Sequence, residues 1–303
     1  ATVFGNALFS FVTGVSIASA AAFSRIAYPE MKRHGYHKGF ALGTVAGSSC
    51  LGMLIPPSVL MIVWGILTEN SIGKIFLAGV LPGLLLMTLF CLYVLAMAIL
   101  KPEVVGSGSE SSVEAVDEVP RGQFFTSLFG ILVVIVAVLG GIWFGLFSPT
   151  EGAGVGALLG LVLGLVKGMR YKDIIDSILS VGRTSGPILL LLVTAALYSN
   201  TLAMTGLANA IESLFLESGM EPWMIIFVMV FIWFLLGMII DSISIMLLTA
   251  AIFAPIAVKL GYDPLAFAII GIIAIEAGLL TPPFGLLVYT VKSAILSLDP
   301  DVN

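Results

Sequence analysis

Charge is what this 303-residue chain has least of: Lys, Arg, Asp and Glu together make up 10% of it, against about 25% in soluble domains. With 59% hydrophobic residues and a mean hydropathy of +1.14, the composition excludes a soluble globular domain and describes an integral membrane protein whose first partner is the lipid bilayer. Histidine and cysteine are nearly as scarce, with two of each. His34 and His37 sit in a basic loop and read as solvated. Cys50 and Cys91 sit in separate apolar runs and read as small core residues, not as a disulfide. No His/Cys cluster remains for zinc or copper. No histidine lies at membrane depth to serve a nucleophile–base pair, which sets a membrane-embedded enzyme aside, and no cofactor is implied. The formal net charge of −5 is modest and spread out, so nothing suggests a nucleic-acid partner. No ring of pore-lining residues marks an ion channel. Short alternating strands are missing too. The apolar runs reach about 18 residues or more and are rich in Gly and Pro, as helical spans are and barrel strands are not. The chain starts at Ala1, inside apolar sequence and without Met or a signal peptide, so an N-terminal truncation is expected.

What is present is a repeat. Ser16, Pro29, Gly35-Tyr36, Gly52, Leu54 and Pro56-Pro57 return 226 residues later, without a gap, as Ser242, Pro255, Gly261-Tyr262, Gly278, Leu280 and Pro282-Pro283. Each copy is strongly apolar and ends in a Gly-then-Pro-Pro interruption. Paired, interrupted hydrophobic segments in two halves of a chain point to the binding site of a secondary transporter.

Residues 1–30 read as two short apolar arms around Thr13-Gly14-Val15-Ser16, each too short to span alone, which suggests a re-entrant hairpin. Residues 39–67 are long enough to span, but Gly52 and Pro56-Pro57 should break the helix near its middle, because proline lacks a backbone donor and clashes with the preceding turn. Residues 75–100 form a clean span. Residues 101–122, rich in Ser, Gly and acids, form a flexible linker. Spans follow at 124–147 and 152–166, joined by a Ser148-Pro149-Thr150-Glu151 turn in which Glu151 reads as a helix cap. An interfacial arm is expected over 172–183, a span over 185–203 and a surface segment over 205–219. Residues 222–258 form a second hairpin with its tip near Asp241-Ser242, and 262–296 a second broken helix. Placing the ends of the first hairpin in the cytoplasm puts ten of the thirteen Lys and Arg on that side, with Lys74 and Lys259 outside. The second repeat then enters from the opposite face, and the repeats are inverted.

Interrupted helices offer N–H groups at one end and carbonyls at the other, tolerated in a membrane only where they are buried in protein or line a cavity. The positive N-terminal ends suit a carboxylate and the carbonyls suit a sodium ion. Hydroxyls at Ser16, Ser242, Ser58 and Thr281 stand ready to complete an oxygen shell, or alternatively to bond helix backbone. Asp241 and Glu276 lie deep in apolar sequence, where charges are expensive. Either contacts an ion or substrate, partners a backbone amide, or is held protonated. Arg25 either attracts an anionic substrate or snorkels to the interface. Trp64, Trp143, Trp223 and Trp233 read as belt or packing residues.

The runs Tyr28-Pro29-Glu30-Met31, Gly35-Tyr36, Leu51-Gly52 and Ile55-Pro56-Pro57-Ser58 resemble the large membrane subunit of the TRAP (tripartite ATP-independent periplasmic) transporters. Ser148-Pro149-Thr150-Glu151 and Gly278-Leu279-Leu280-Thr281-Pro282-Pro283-Phe284-Gly285 resemble it as well. The likeness covers essentially the whole chain and corresponds to the last two-thirds or so of a family member. It implies an all-α, elevator-type, sodium-driven importer of organic acids in a bacterial or archaeal inner membrane. It also implies a periplasmic substrate-binding protein and a small four-helix membrane subunit as partners. One sodium site would use Gly14 and Ser16 with Gly52 and Pro56, and the other Asp241 and Ser242 with Gly278 and Thr281. The substrate would lie between them, with Ser58 and Arg25 as candidate contacts. Residues 1–67 and 221–303 would form the transport domain, 68–100 and 123–220 the scaffold, and 101–122 a cytoplasmic linker. Many family members have Ser-Gly-Ser at the first tip. Here Val15 carries no hydroxyl, so side-chain ligation at that position is lost. A stand-alone sodium- or proton-coupled carboxylate carrier of the same architecture, needing no binding protein, is the alternative.

Overall fold

A computed structural model describes residues 1–106, 121–296 and 299, and among them it is helical without strands. Among the described residues, six helical segments are long and apolar enough to cross a membrane. The linker expected over 101–122 lies for the most part outside the described residues. The chain divides into one compact unit of residues 1–112 with 199–303 and a second of residues 113–198.

The first unit opens with α1 (Thr2–Thr13) and α2 (Ser16–Arg33), a hairpin turning at Gly14-Val15. Next come α3 (Lys38–Ser49), the single turn α4 (Leu51–Leu54) and α5 (Val59–Leu67), which together form the first broken helix. The long α6 (Ile72–Leu100) and the turn α7 (Pro102–Val105) follow. The second unit holds α8 (Arg121–Ile135), a widened turn over Val136–Gly140, α9 (Gly141–Trp143), α10 (Pro149–Val166) and most of α11 (Tyr171–Thr205). The chain then completes the first unit with α12 (Leu207–Leu216), the second hairpin α13 (Pro222–Gly237) and α14 (Ser242–Lys259), and the second broken helix α15 (Pro264–Leu279) and α16 (Leu286–Ile295).

The repeat in sequence is a repeat in structure. Helices α2 and α14 begin at Ser16 and Ser242, α3 and α15 at Lys38 and Pro264, each pair 226 residues apart. Both breaks contain a cis Pro–Pro peptide. The Gly-Tyr pairs that follow α2 and α14 have the same local job. Gly35 and Gly261 turn left-handed, with φ of 74° and 84°, and the next amide reaches back one turn, Tyr36 N to Met31 O at 3.1 Å and Tyr262 N to Ala257 O at 3.0 Å. This is the six-to-one closure that caps helix carbonyls, and a Cβ would disfavour its left-handed residue.

Some helix starts are capped by side chains. Asp263 accepts from Leu265 N and Ala266 N, both at 2.9 Å, with Pro264 in the first turn. In the second unit, Ser148 accepts from Glu151 N while the Glu151 carboxylate accepts from Ser148 N at 2.7 Å, a capping box. The expected arm and span over 172–203 are instead one 35-residue helix. At ~1.5 Å per residue it is about 52 Å long, well beyond a hydrocarbon core of about 30 Å. Its polar stretch stays helical, with Ser177 donating to Asp173 O and Thr184 to Ser180 O.

The core of the first unit is aromatic and joins the two repeats. Trp64 of α5 stands edge-on to Trp233 of α13 and Phe267 of α15, with ring centres 6.1 and 5.9 Å away, and Trp233 also meets Phe253 of α14. Trp233 donates to the Thr249 hydroxyl at 2.6 Å. Such ring pairs contribute ~0.5–1.5 kcal/mol each beyond area burial. In a bilayer this packing matters more than water exclusion, because lipid is as apolar as the side chains. Trp143 and Trp223 are exposed, as a membrane belt would have them. Cys50 is buried, but Cys91 lies on the outer surface of α6 and is not a core residue. Its neighbours Leu85, Leu89 and Leu92 share that apolar exterior.

Asp299 closes the chain onto the base of the first hairpin. Its Oδ2 accepts from Tyr28 at 2.7 Å and Lys32 at 2.8 Å, with Lys38 at 3.5 Å. The Lys32 and Tyr28 hydrogen bonds hold its carboxyl well below the usual carboxylate range. A carboxyl depressed on folding stabilises the protein above its unfolded value near 4 and loses that contribution as pH falls toward its folded value. Asp299→Asn should therefore lower the thermal midpoint of the detergent-purified protein at pH 7, and the gap to wild type should narrow below about pH 4. An equal midpoint for both proteins at pH 7 would show that the cluster does not stabilise the fold.

Candidate functional site

The first tip and the first break are locked together by backbone. Gly14 ends α1 in a left-handed turn, its amide returning to Ser10 O at 2.9 Å. Its own carbonyl accepts from Val59 N, just past the break, at 3.1 Å. A methyl group on Gly14 would lie 2.5 Å from the Pro57 carbonyl oxygen, and one on Gly52 would lie 2.9 Å from the Ser16 backbone. Both positions need glycine because two backbones touch there. Pro56 is buried in this junction.

The second tip repeats the arrangement with different contacts. Gly237 at the end of α13 and Gly278 near the end of α15 face one another: a methyl on Gly237 would be 2.6 Å from Ile275 O, and one on Gly278 would be 2.4 Å from Phe234 O. Met238 O accepts from Phe284 N at 3.1 Å, tying tip to break. Asp241 caps α14, accepting from Ser244 N at 3.0 Å. Thr281 donates to Ala277 O at 2.9 Å, and its amide donates to Gly278 O. Pro282, Pro283 and Phe284 are exposed, whereas the first break is buried apart from half-buried Pro57.

Glu276 joins the two tips. It is 3% exposed. The Ser16 hydroxyl donates to its Oε2, and the Ser242 hydroxyl lies beside the same carboxylate. The repeat counterpart of Glu276 is Cys50, and the two touch: Cys50 Sγ is 3.6 Å from Glu276 O. Equivalent residues of two repeats meet only where the repeats' symmetry axis passes, so Glu276 lies on or next to that axis. The N-terminal ends of α2 and α14, each carrying partial positive charge, converge at this carboxylate.

The residues singled out from sequence divide as follows. Gly14, Ser16, Gly52 and Pro56 come together at the first junction. Ser242 and Gly278 come together near Glu276, with Asp241 and Thr281 at the tip and break of the same repeat. Ser58 is fully buried, caps α5 by accepting from Met61 N, and donates to Met53 O across the break, so its hydroxyl is engaged locally. Arg25 is exposed and nine residues along α2 from Ser16, about 13 Å at the helical rise. The structure does not bring it to the tips.

Asn6 was not singled out. It is buried in α1 and donates to the Ser48 and Ser49 hydroxyls of α3 at 2.9 and 3.2 Å. The readable signal was a lone amide in an apolar helix opposite a Ser-Ser pair just before a break.

Two hairpins, two broken helices and buried polar tips define a helical membrane protein of the transporter class. The chain matches the family model of the tripartite ATP-independent periplasmic transporter, DctM component, over residues 1–298, and belongs to that family. It is 34% identical to the C4-dicarboxylate TRAP transporter large permease protein of Pseudomonas aeruginosa, over 98% of this chain and 68% of that one. It is 30% identical to the sialic acid TRAP transporter large permease protein of Vibrio cholerae, over 96% and 67%. It is 29% identical to the ectoine/5-hydroxyectoine TRAP transporter large permease protein of Ruegeria pomeroyi, over 93% and 65%. The chain thus spans about two thirds of the length of these relatives. It is a multi-pass inner-membrane protein and a transporter component, not an enzyme.

The glycine contacts are directly testable. Gly237→Ala and Gly14→Ala should each lower stability by about 1–3 kcal/mol, as forced overpacking does. Gly160→Ala, in α10 with nothing within 4 Å, should be neutral or stabilising by up to about 1 kcal/mol. Thermal unfolding in detergent compares them, and three equal midpoints would remove the close-contact reading.

Proposed function

We propose that the chain carries a small organic acid inward together with sodium ions, as the large membrane subunit of a three-component importer. The observation that carries this reading is the meeting of tip and break in each repeat, Gly14 against Pro57 and Gly237 against Gly278. Interrupted helices placed this way offer carbonyls to a cation and helix N-termini to an anion. In this reading Gly14, Ser16, Gly52 and Pro56 build one sodium site, and Asp241, Ser242, Gly278 and Thr281 the other, with the acid between them. The hairpin-bearing repeats move as a body against a scaffold, in elevator fashion. A periplasmic binding protein delivers the acid, and a small four-helix subunit packs beside the chain. That subunit is separate or fused, as in the relative named isethionate TRAP transporter permease protein DctMQ. The substrates in the relatives' names (C4-dicarboxylate, sialic acid, ectoine, isethionate) all carry a carboxylate or sulfonate. Their variety favours an acid group as the shared feature, and a C4-dicarboxylate is the first compound to try.

The test is uptake of labelled organic acids into proteoliposomes holding the complete transporter, under an inward sodium gradient, with and without its binding protein. Uptake should require both. Ser242→Ala and Thr281→Ala should raise the sodium concentration for half-maximal uptake several-fold, while Ser148→Ala, in the capping box of α10, leaves it unchanged. Equal effects from all three would remove the site assignment. Uptake with sodium alone would describe a stand-alone carrier.

A further inference from the structure

One carboxylate serves two half-sites, and among the described residues no basic side chain pairs with it. Ser16 satisfies Oε2 of Glu276, whereas Oε1 is buried with no hydrogen-bond partner. A buried carboxylate is costly unless its charge is compensated. Of the helices packed on α15, α13, α4 and α5 contain no charged residue, and α6, α14 and α16 contain only Lys74, Lys259 and Lys292. The helix that brings Ser16, α2, has its charged residues Arg25, Glu30, Lys32 and Arg33 nine or more positions further along. Lys259 lies at the far end of α14 from Ser242 and pairs with Glu212. Asp241 turns to the Ser244 amide. The titratable group that faces Glu276 is Cys50, itself no source of positive charge. The helix ends at Ser16 and Ser242 supply partial positive charge, but they leave Oε1 without a partner.

We propose that Glu276 binds one sodium ion through Oε1, as a third coupling site shared by both repeats. The proposal rests on reading the chain as a sodium-driven importer. Both tips hold the carboxylate that carries the ion, so occupancy at Glu276 is felt at Ser16 and Ser242 together. The counterpart Cys50 lacks a carboxylate, so the pair of repeats supplies one such site and not two.

The experiment measures radioactive sodium bound per molecule in the purified complete transporter for wild type, Glu276→Gln and Glu276→Asp. Glu276→Gln should bind one ion fewer than wild type, and Glu276→Asp should restore it. Glu276→Gln with the wild-type ion number overturns the proposal. Wild type that binds sodium with no role for Glu276 therefore sinks this inference alone, whereas wild type that binds no sodium sinks the importer reading as well. Should Glu276→Gln not survive purification, infrared difference spectra of wild type and Glu276→Asp on sodium addition decide. A carboxyl band that changes, and moves in the aspartate variant, supports the site; no carboxyl signal in wild type overturns it.

Discussion

An unpaired backbone group has nowhere to turn in hydrocarbon, and this chain interrupts its helices at both hairpin tips and both Pro-Pro breaks. The structure answers by setting each tip against its own break. Gly14 O takes the Val59 amide and Met238 O takes the Phe284 amide. These bonds require backbones to approach within contact distance, which in turn requires Gly14, Gly52, Gly237 and Gly278 to have no side chain. The aromatic cluster of Trp64, Trp233, Phe253 and Phe267 then holds the two repeats in one body. Polar groups at the tips and the rigidity that positions them are two consequences of the same backbone constraint.

The two repeats satisfy that constraint differently, and the difference is informative. The first break is buried but for half-buried Pro57, and Ser58 spends its hydroxyl bridging α4 to α5. The second break is exposed at Pro282, Pro283 and Phe284. Near the axis, where one repeat presents Cys50, the other presents Glu276. Two identical repeats would have placed two carboxylates in contact, and like charges at that distance in a low-dielectric interior repel strongly. A single carboxylate reached by a serine from each repeat keeps one charge at the axis and binds both hairpins to it.

Much of this was legible in the sequence. The 226-residue offset located both hairpins and both breaks, because Gly-Tyr closures and Pro-Pro interruptions are fixed by local backbone chemistry. The Ser148–Glu151 cap was legible for the same reason. What stayed hidden depends on partners far along the chain. Glu276 was recognisable as an expensive charge, but not as the meeting point of Ser16 and Ser242, since a contact across 260 residues leaves no local trace. Asn6 with Ser48 and Ser49 escaped notice likewise. Ser58 and Arg25 were grouped as substrate contacts by residue type alone, and the structure gives them different surroundings, one buried and engaged, the other exposed. The continuity of α11 was missed because a polar stretch between apolar runs looks like a helix end.

The same physics explains which residues the two repeats share. Between the halves, most apolar positions differ, while Ser16, Gly52 and Pro56-Pro57 return as Ser242, Gly278 and Pro282-Pro283. A lipid-facing leucine can become valine or phenylalanine at little cost, because lipid offers the same environment to each. A glycine whose methyl group would lie 2.4 Å from a carbonyl oxygen has no such freedom. A serine that meets a buried carboxylate is held just as firmly, because its loss strands the charge. The repeat is therefore written in the residues that touch backbone or charge, and those are the residues from which the candidate site is built.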